Sequence, residues 1–166
     1  MSVHEHRKGP PPSLSIGVIT ASDTRTTEND ESGRLIKTML EAGGHRVAYY
    51  EILRDEPALI AGAVKNNLAA LDGIIINGGT GIAARDSTFE AVQSLLDKEM
   101  TGFGELFRML SYQDIGSAAF LSRATAGISA GKLIVSLPGS TDACRLGLEK
   151  LLLPELGHIA RLLKLG

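Results

Sequence analysis

The residues best suited to chemistry are Gly78-Gly79-Thr80-Gly81, with the charged pair Arg85-Asp86 just beyond them. Three glycines in four positions permit positive φ and let another molecule approach the main chain closely. The loop follows the apolar run Gly73–Asn77 and precedes Asp86-Ser87-Thr88-Phe89-Glu90, a helix start. Ser87 with Glu90 three residues on fits a capping box. Strand, glycine loop and helix N-terminus together make an anion site from backbone N–H groups. The loop lacks the lysine and spacing of a P-loop, and it is not G-x-G-x-x-G. A tight strand-to-helix turn would account for the glycines. It would not need Arg85 and Asp86.

Such a loop must be held by strands and helices, and the chain supplies them in alternation. Leu14–Ala21 is an apolar run that predicts a strand, ended by Ser22-Asp23-Thr24. Asn29 or Asp30 can cap the next helix, whose Leu35, Ile36, Met39 and Leu40 share one face. Gly43-Gly44 ends it. His45–Leu53 predicts the second strand, and Asp55 suits the N-cap of a helix with Pro57 in its first turn. Three isoleucines in Gly73–Asn77 fit a strand buried on both faces. Glu99–Ile115 carries a broad apolar face with Leu106, Phe107, Met109 and Leu110, suited to core or to a subunit contact. Gly116–Gly131 is rich in small residues, with Arg123 as its only charge. Lys132–Leu137 predicts another buried strand, broken by Pro138-Gly139-Ser140-Thr141. Thr141 or Asp142 can cap the leucine-rich helix Ala143–Lys164, which is expected to be interrupted at Pro154.

This alternation predicts an α/β fold, with a mostly parallel sheet and helices on both faces. Ligands of such sheets sit at the carboxyl ends of the strands. Ala21-Ser22-Asp23, Gly78–Gly81 and Pro138–Ser140 would then share one edge. The length of 166 residues fits a single domain over 14–166, preceded by the polar, proline-ended tail 1–13. A net charge of −2 gives no nucleic-acid surface. No apolar run approaches the ~20 residues of a membrane helix. The first residues carry no apolar secretory segment, which points to the cytoplasm. The single cysteine, Cys144, excludes an internal disulfide and suits a small buried hydrophobe.

In order, the loops resemble the molybdenum cofactor biosynthesis proteins of the MoaB/MogA type. The matching segments are Ser22-Asp23, Asp55-Glu56, Asn77-Gly78-Gly79-Thr80-Gly81 and Arg85-Asp86. They continue with Gly102-Phe103-Gly104-Glu105, Leu121-Ser122-Arg123 and Pro138-Gly139. They cover nearly the whole chain from Leu14 to about Pro154, and Gly139–Arg145 looks most like the B-type branch. The resemblance implies a three-layer fold, trimeric or a hexamer of two trimers. It also implies binding of molybdopterin, a pterin dithiolene with a terminal phosphate, and adenylylation of that phosphate with Mg-ATP. The family's two acidic positions match Asp55 and Asp86, implied as catalytic and magnesium-holding. Ser22, Asp23, Gly78, Gly79, Thr80, Gly81, Ser122, Arg123, Pro138, Gly139 and Ser140 are the implied binders of pterin or phosphate. Partners would be molybdopterin, ATP, further copies of the chain and other molybdenum cofactor biosynthesis proteins.

Two departures from the family pattern stand out. Ser140-Thr141 follows Pro138-Gly139 where the catalytic branch often has Pro-Gly-x-Pro, and Phe89 stands where it often has proline. The alternative for Asp55 is a helix cap, and for Asp86 a solvated acid at a helix start. The serines and Thr80 could be turn residues, and Arg123 could pair with an acid on a neighbouring subunit. A pterin carrier without turnover and a scaffold remain the other function classes.

Overall fold

In the computed structural model, which describes residues 12–165, one six-stranded sheet runs through the molecule. The strands are β1 (Ser15–Ala21), β2 (Arg46–Leu53), β3 (Gly73–Asn77), β4 (Lys98–Glu99), β5 (Thr125–Ser129) and β6 (Lys132–Leu137). Their spatial order is β2-β1-β3-β6-β5-β4. β2, β1, β3 and β6 pair in parallel, while β5 runs antiparallel to both β6 and β4. The helices are α1 (Glu31–Ala42), α2 (Pro57–Asn67), α3 (Thr88–Gln93), α4 (Thr101–Ile115), α5 (Thr141–Gly147) and α6 (Leu153–Leu165). The polar tail expected over 1–13 falls almost wholly outside the described residues.

Successive strand side chains point to opposite faces, and here both faces are apolar. Ile16, Val18, Ile75, Leu133, Val135 and Leu137 face a core built with α1, α4, α5 and α6. Ile19, Ala21, Ile74, Ile76 and Ile134 face a second core with α2 and α3. The three isoleucines of β3 are each at most 1% exposed. Each contributes about 1.5–3 kcal/mol by leaving water. β3 is thereby pinned at the centre, and the loop at its carboxyl end inherits a rigid base. The chain leaves β1 toward β2 on one side and returns to β3 on the other. The β1/β3 boundary is therefore the switch point at which ligands of open α/β sheets bind.

Three local expectations change. Gly116–Gly131 is not merely a small-residue segment: it holds a 3-10 turn (Gly116–Leu121) and then β5. β5 turns into β6 through Ala130-Gly131 and forms an antiparallel hairpin. The terminal helix is not interrupted at Pro154. A wider π turn at Leu148–Leu152 precedes it and absorbs the ring and the missing N–H. The cap of α5 is Ser140, whose side chain accepts from Ala143 N, and not Thr141 or Asp142. Elsewhere the expectation held: Asp30, one of two candidates, caps α1 by accepting from Gly33 N at 2.9 Å.

Candidate functional site

The carboxyl ends of β1, β3 and β6 meet so closely that their loops touch. A Cβ on Gly78, where φ is +100°, would stand 2.1 Å from Ala21 O, so only glycine fits against the end of β1. One on Gly139 would stand 3.3 Å from Gly78 Cα. Gly78 N donates to Leu137 O at 2.9 Å, and Ser22 N donates to Leu53 O at 2.8 Å. Asp23 and Arg85 form an ion pair of 2.7 Å that ties the β1 loop to the β3 loop. The Ser22 hydroxyl accepts from Thr24 N and Arg25 N, as a turn-forming serine does.

The two aspartates flank the glycine loop. A Cβ on Gly79 would stand 2.2 Å from Asp55 Oδ2, and one on Gly81 would stand 2.7 Å from Asp86 Oδ2. Asp55 does not cap α2. The residue at the cap is Glu56, which makes no side-chain cap bond. Asp55 reaches across instead, and its Oδ1 accepts from Ser87 Oγ at 2.8 Å and Ser87 N at 3.2 Å. Ser87 thus forms no capping box, and its side chain makes no cap bond to α3. Asp86 Oδ2 accepts from Ala83 N at 2.8 Å, which closes the turn beyond Gly81. Beside Asp55 lies the hydroxyl of Thr88, fully buried and without a hydrogen-bond partner among the described residues. It would lie 2.4 Å from the same Cβ on Gly79. Two carboxylates and an unsatisfied hydroxyl are hard oxygen donors, the set that suits magnesium held together with substrate phosphates. Among the described residues no group of three or more His, Cys, Asp or Glu converges, so a metal here would need ligands from a substrate or water.

Arg123 locks the far side of the loop. Its backbone N donates to Thr80 O at 2.9 Å. Its guanidinium donates to Gly81 O at 2.9 Å and Asp86 O at 3.0 Å, and pairs with Glu90. Hydrogen bonding from Arg123 holds the Glu90 carboxyl below the usual carboxylate range. The same guanidinium lies 5.0 Å over the Phe89 ring. The acid that Arg123 pairs with is therefore on its own chain, and Glu90 is engaged here rather than in a capping box.

A buried polar network supports the loops from below. Asp30, 1% exposed, accepts from Thr20 Oγ1 and Tyr50 OH, both at 2.6 Å. Asn77, the last residue before the glycines, donates to Thr20 Oγ1 at 2.9 Å and accepts from Ser32 Oγ at 2.8 Å. Burial pushes the Asp30 carboxyl up, but the bonds from Thr20, Tyr50, Gly33 and Ser32 outweigh it and leave it below its ordinary value.

Comparison with known proteins places this architecture. The family model described as a probable molybdopterin binding domain matches residues 17–158. The chain belongs to the molybdopterin-binding family of molybdenum cofactor biosynthesis proteins. Molybdenum cofactor biosynthesis protein B of Halalkalibacterium halodurans is 53% identical over 164 residues, covering 97% of this chain and 96% of that protein. A crystal structure of a molybdenum cofactor biosynthesis protein B superposes with a TM-score of 0.92 at 49% identity, over 95% of this chain and all of the other. The molybdopterin biosynthesis Mog protein of Mycobacterium ulcerans superposes at 0.85 with 31% identity, over 93% and 99%. The three-layer α/β fold implied by the resemblance is thus the fold of the family.

Within that family fold, the implied site residues separate into groups. Ser22, Asp23, Asp55, Gly78, Gly79, Thr80, Gly81, Asp86, Arg123 and Gly139 gather at the switch point through the contacts above, and Pro138 directly follows β6 there. Ser122 lies on the neighbouring cleft, and Ser140 is exposed and used as a cap. Sequence reasoning missed Ser87 and Thr88 as partners of the Asp55 corner, and Glu90 as the partner of Arg123. Their positions directly after Asp86 were the available signal. Cys144 is a small buried side chain, fully enclosed, with its thiol pushed up to about 12 chiefly by burial.

Proposed function

We propose that the chain acts in molybdenum cofactor biosynthesis by binding molybdopterin and adenylylating its terminal phosphate with Mg-ATP, in the cytoplasm. The observation that carries this reading is the pair of carboxylates packed against Gly79 and Gly81 of one loop. In the transfer, an oxygen of the pterin phosphate forms a bond to the α-phosphorus of ATP, and the bond from that phosphorus to the bridging oxygen of pyrophosphate breaks. Little covalent work falls to the protein, so positioning and charge neutralisation carry the rate. The glycine-loop amides hold a phosphate at the carboxyl end of β3. Asp55 and Asp86 hold magnesium, with the Thr88 hydroxyl as a further donor. When bound, magnesium offsets charge on the ATP phosphates. Ser87 and Ala83 N fix the two carboxylates before substrate arrives, and Arg123 fixes the loop between them. We further propose a trimer or hexamer, because Leu106, Met109, Ile115 and Phe120, all within one stretch of α4 and the turn after it, are each at least 48% exposed.

Asp55→Asn and Asp86→Asn test the catalytic assignment. Each keeps hydrogen-bonding capacity and loses the charge. Pyrophosphate release with molybdopterin and Mg-ATP is expected to fall ~10²–10³-fold in each, with pterin binding retained. Variants as active as wild type refute the assignment. A wild-type chain that binds molybdopterin tightly and releases no pyrophosphate is a carrier.

A further inference from the structure

Asn77 is the last residue of β3, and its side chain is fully buried where three elements meet. In the sheet it lies beside Thr20 of β1 and Leu137 of β6. Its Nδ2 donates to Ile19 O at 3.2 Å and to Thr20 Oγ1 at 2.9 Å. Ser32 Oγ of α1 lies 2.8 Å from Asn77 Oδ1 and 3.2 Å from Asp30 Oδ1, and shares its proton between them. The directions of these bonds are fixed. Ile19 O can only accept, so the atom that faces it must carry a proton. Thr20 gives its single proton to Asp30 Oδ2 at 2.6 Å, so its oxygen is left to accept from Asn77. An amide answers all of this from one place, with two donors toward β1 and an acceptor toward α1. The next residue, Gly78, is held by the bond from its N to Leu137 O and has no room for a Cβ against Ala21 O. Asn77 therefore sets the spacing of β1 and β3 one residue before the loop is pressed onto the end of β1.

We infer that Asn77 is a positioning residue for the glycine loop: its amide keeps Gly78–Gly81 in the conformation that holds a phosphate, and a carboxylate in its place would not. This role rests on the loop holding a phosphate, as proposed above, and places the control of that loop in buried side chains outside it. An ionised aspartate at position 77 has no donor for Ile19 O or Thr20 Oγ1 and stands close to Asp30. Burial, the facing carbonyl and the like charge all favour its neutral form, which regains a donor. Its folded pKa therefore lies above the ordinary carboxylate value. The defect it causes is absent well below that pKa and complete above it. The surrounding groups do not titrate in the same range. Burial raises the Asp30 carboxyl, but its hydrogen bonds bring it below its ordinary value, so Asp30 stays ionised. Burial first, and Asp30 second, push up both the Tyr50 hydroxyl of β2 and the Cys144 thiol of α5. The cations beside Tyr50 are Lys37 and Arg34 of α1.

The test compares Asn77→Asp with wild type, as full chains, at about pH 6 and about pH 8. One readout is amide hydrogen exchange at Gly78, which needs no substrate. The other is molybdopterin binding. Each value is taken relative to wild type at the same pH, which cancels titration of the ligand phosphate. At about pH 8, exchange is expected to be about tenfold or more faster and binding about tenfold or more weaker. At about pH 6 both are expected to return to within about threefold of wild type. Thr20→Val, which removes the bridging hydroxyl, is expected to weaken binding by a similar factor at both pH values, and Thr20→Ser to retain it. A merely structural Asn77 would lower the urea midpoint of the variant and leave binding and Gly78 exchange of the folded protein unchanged. That result overturns the inference, as does a defect in Asn77→Asp that ignores pH. If Asn77→Asp does not fold, the Thr20 pair decides, and equal binding by Thr20→Val and Thr20→Ser overturns the inference. Pyrophosphate release keeps the two readings apart. Gly78 exchange that follows pH in the variant, with no turnover in wild type, refutes adenylyl transfer alone. Wild-type turnover matched by Asn77→Asp at about pH 8 refutes the positioning role alone.

Discussion

Replacing Gly79 by alanine is the sharpest test of how the loop holds Asp55. At φ +62° an alanine pays left-handed strain of ~1–2 kcal/mol. Its Cβ would stand 2.2 Å from Asp55 Oδ2 and 2.4 Å from Thr88 Oγ1, where ordinary contact begins at 3.4 Å. The carboxylate must retreat by more than an ångström, which breaks its bonds from Ser87 N and Ser87 Oγ. Hydrogen bonds to charged groups contribute ~1.5–3 kcal/mol, and the partial exposure of Asp55 reduces this to about 1 kcal/mol each. The expected loss is about 3–4 kcal/mol, survivable for a domain stable by ~5–15 kcal/mol. Urea denaturation reads the change as a lower midpoint at unchanged slope. Pyrophosphate release is expected to fall beyond the change in pterin binding, because Asp55 is displaced while the amides remain. Gly102→Ala is the control. Nothing lies within 4 Å of a Cβ there, in the first turn of α4, so its midpoint is expected to hold or rise. A Gly79→Ala variant within ~0.5 kcal/mol of wild type refutes the packing argument.

Burial lowers the pKa of His45, and its Nδ1 accepts from Leu14 N at 3.3 Å. Because the folded pKa lies below the ordinary 6.5, this contribution is complete above pH 6.5 and is lost as pH falls through the folded value. Urea midpoints are expected to decline below pH 6.5 in wild type and to decline less in His45→Gln; equal decline refutes this. The exposed apolar residues of α4 are expected to be covered by further copies of the chain. Light scattering should give a trimer or hexamer at micromolar concentration, and Leu106→Glu with Ile115→Glu should shift it toward monomer with helical circular dichroism retained. A monomeric wild type refutes the assembly.

The sequence by itself determined the strands that are apolar on both faces, the alternation of strand and helix that makes the sheet mostly parallel, and the glycine loop. Each of these rests on local causes. Gly73–Asn77 is β-branched and short, so it reads as buried strand, and the glycines that follow it must turn. The family was legible for the same reason, because its loops keep their order and spacing along the chain. The β5–β6 hairpin was not legible, since Ala130-Gly131 lacks the Asn-Gly or Asp-Gly turn that announces a two-residue hairpin. Tertiary structure alone decided where the polar side chains point. Asp55 had an apparent use as a cap and Ser87 another in a capping box, yet the fold spends both on each other across 32 residues. Glu90 and Arg123 likewise meet across 33 residues. A carboxylate or hydroxyl can satisfy itself locally or at long range at nearly equal energy. Packing of the sheet decides which partner lies within 3 Å, and at the Asp55 corner it is the distant Ser87.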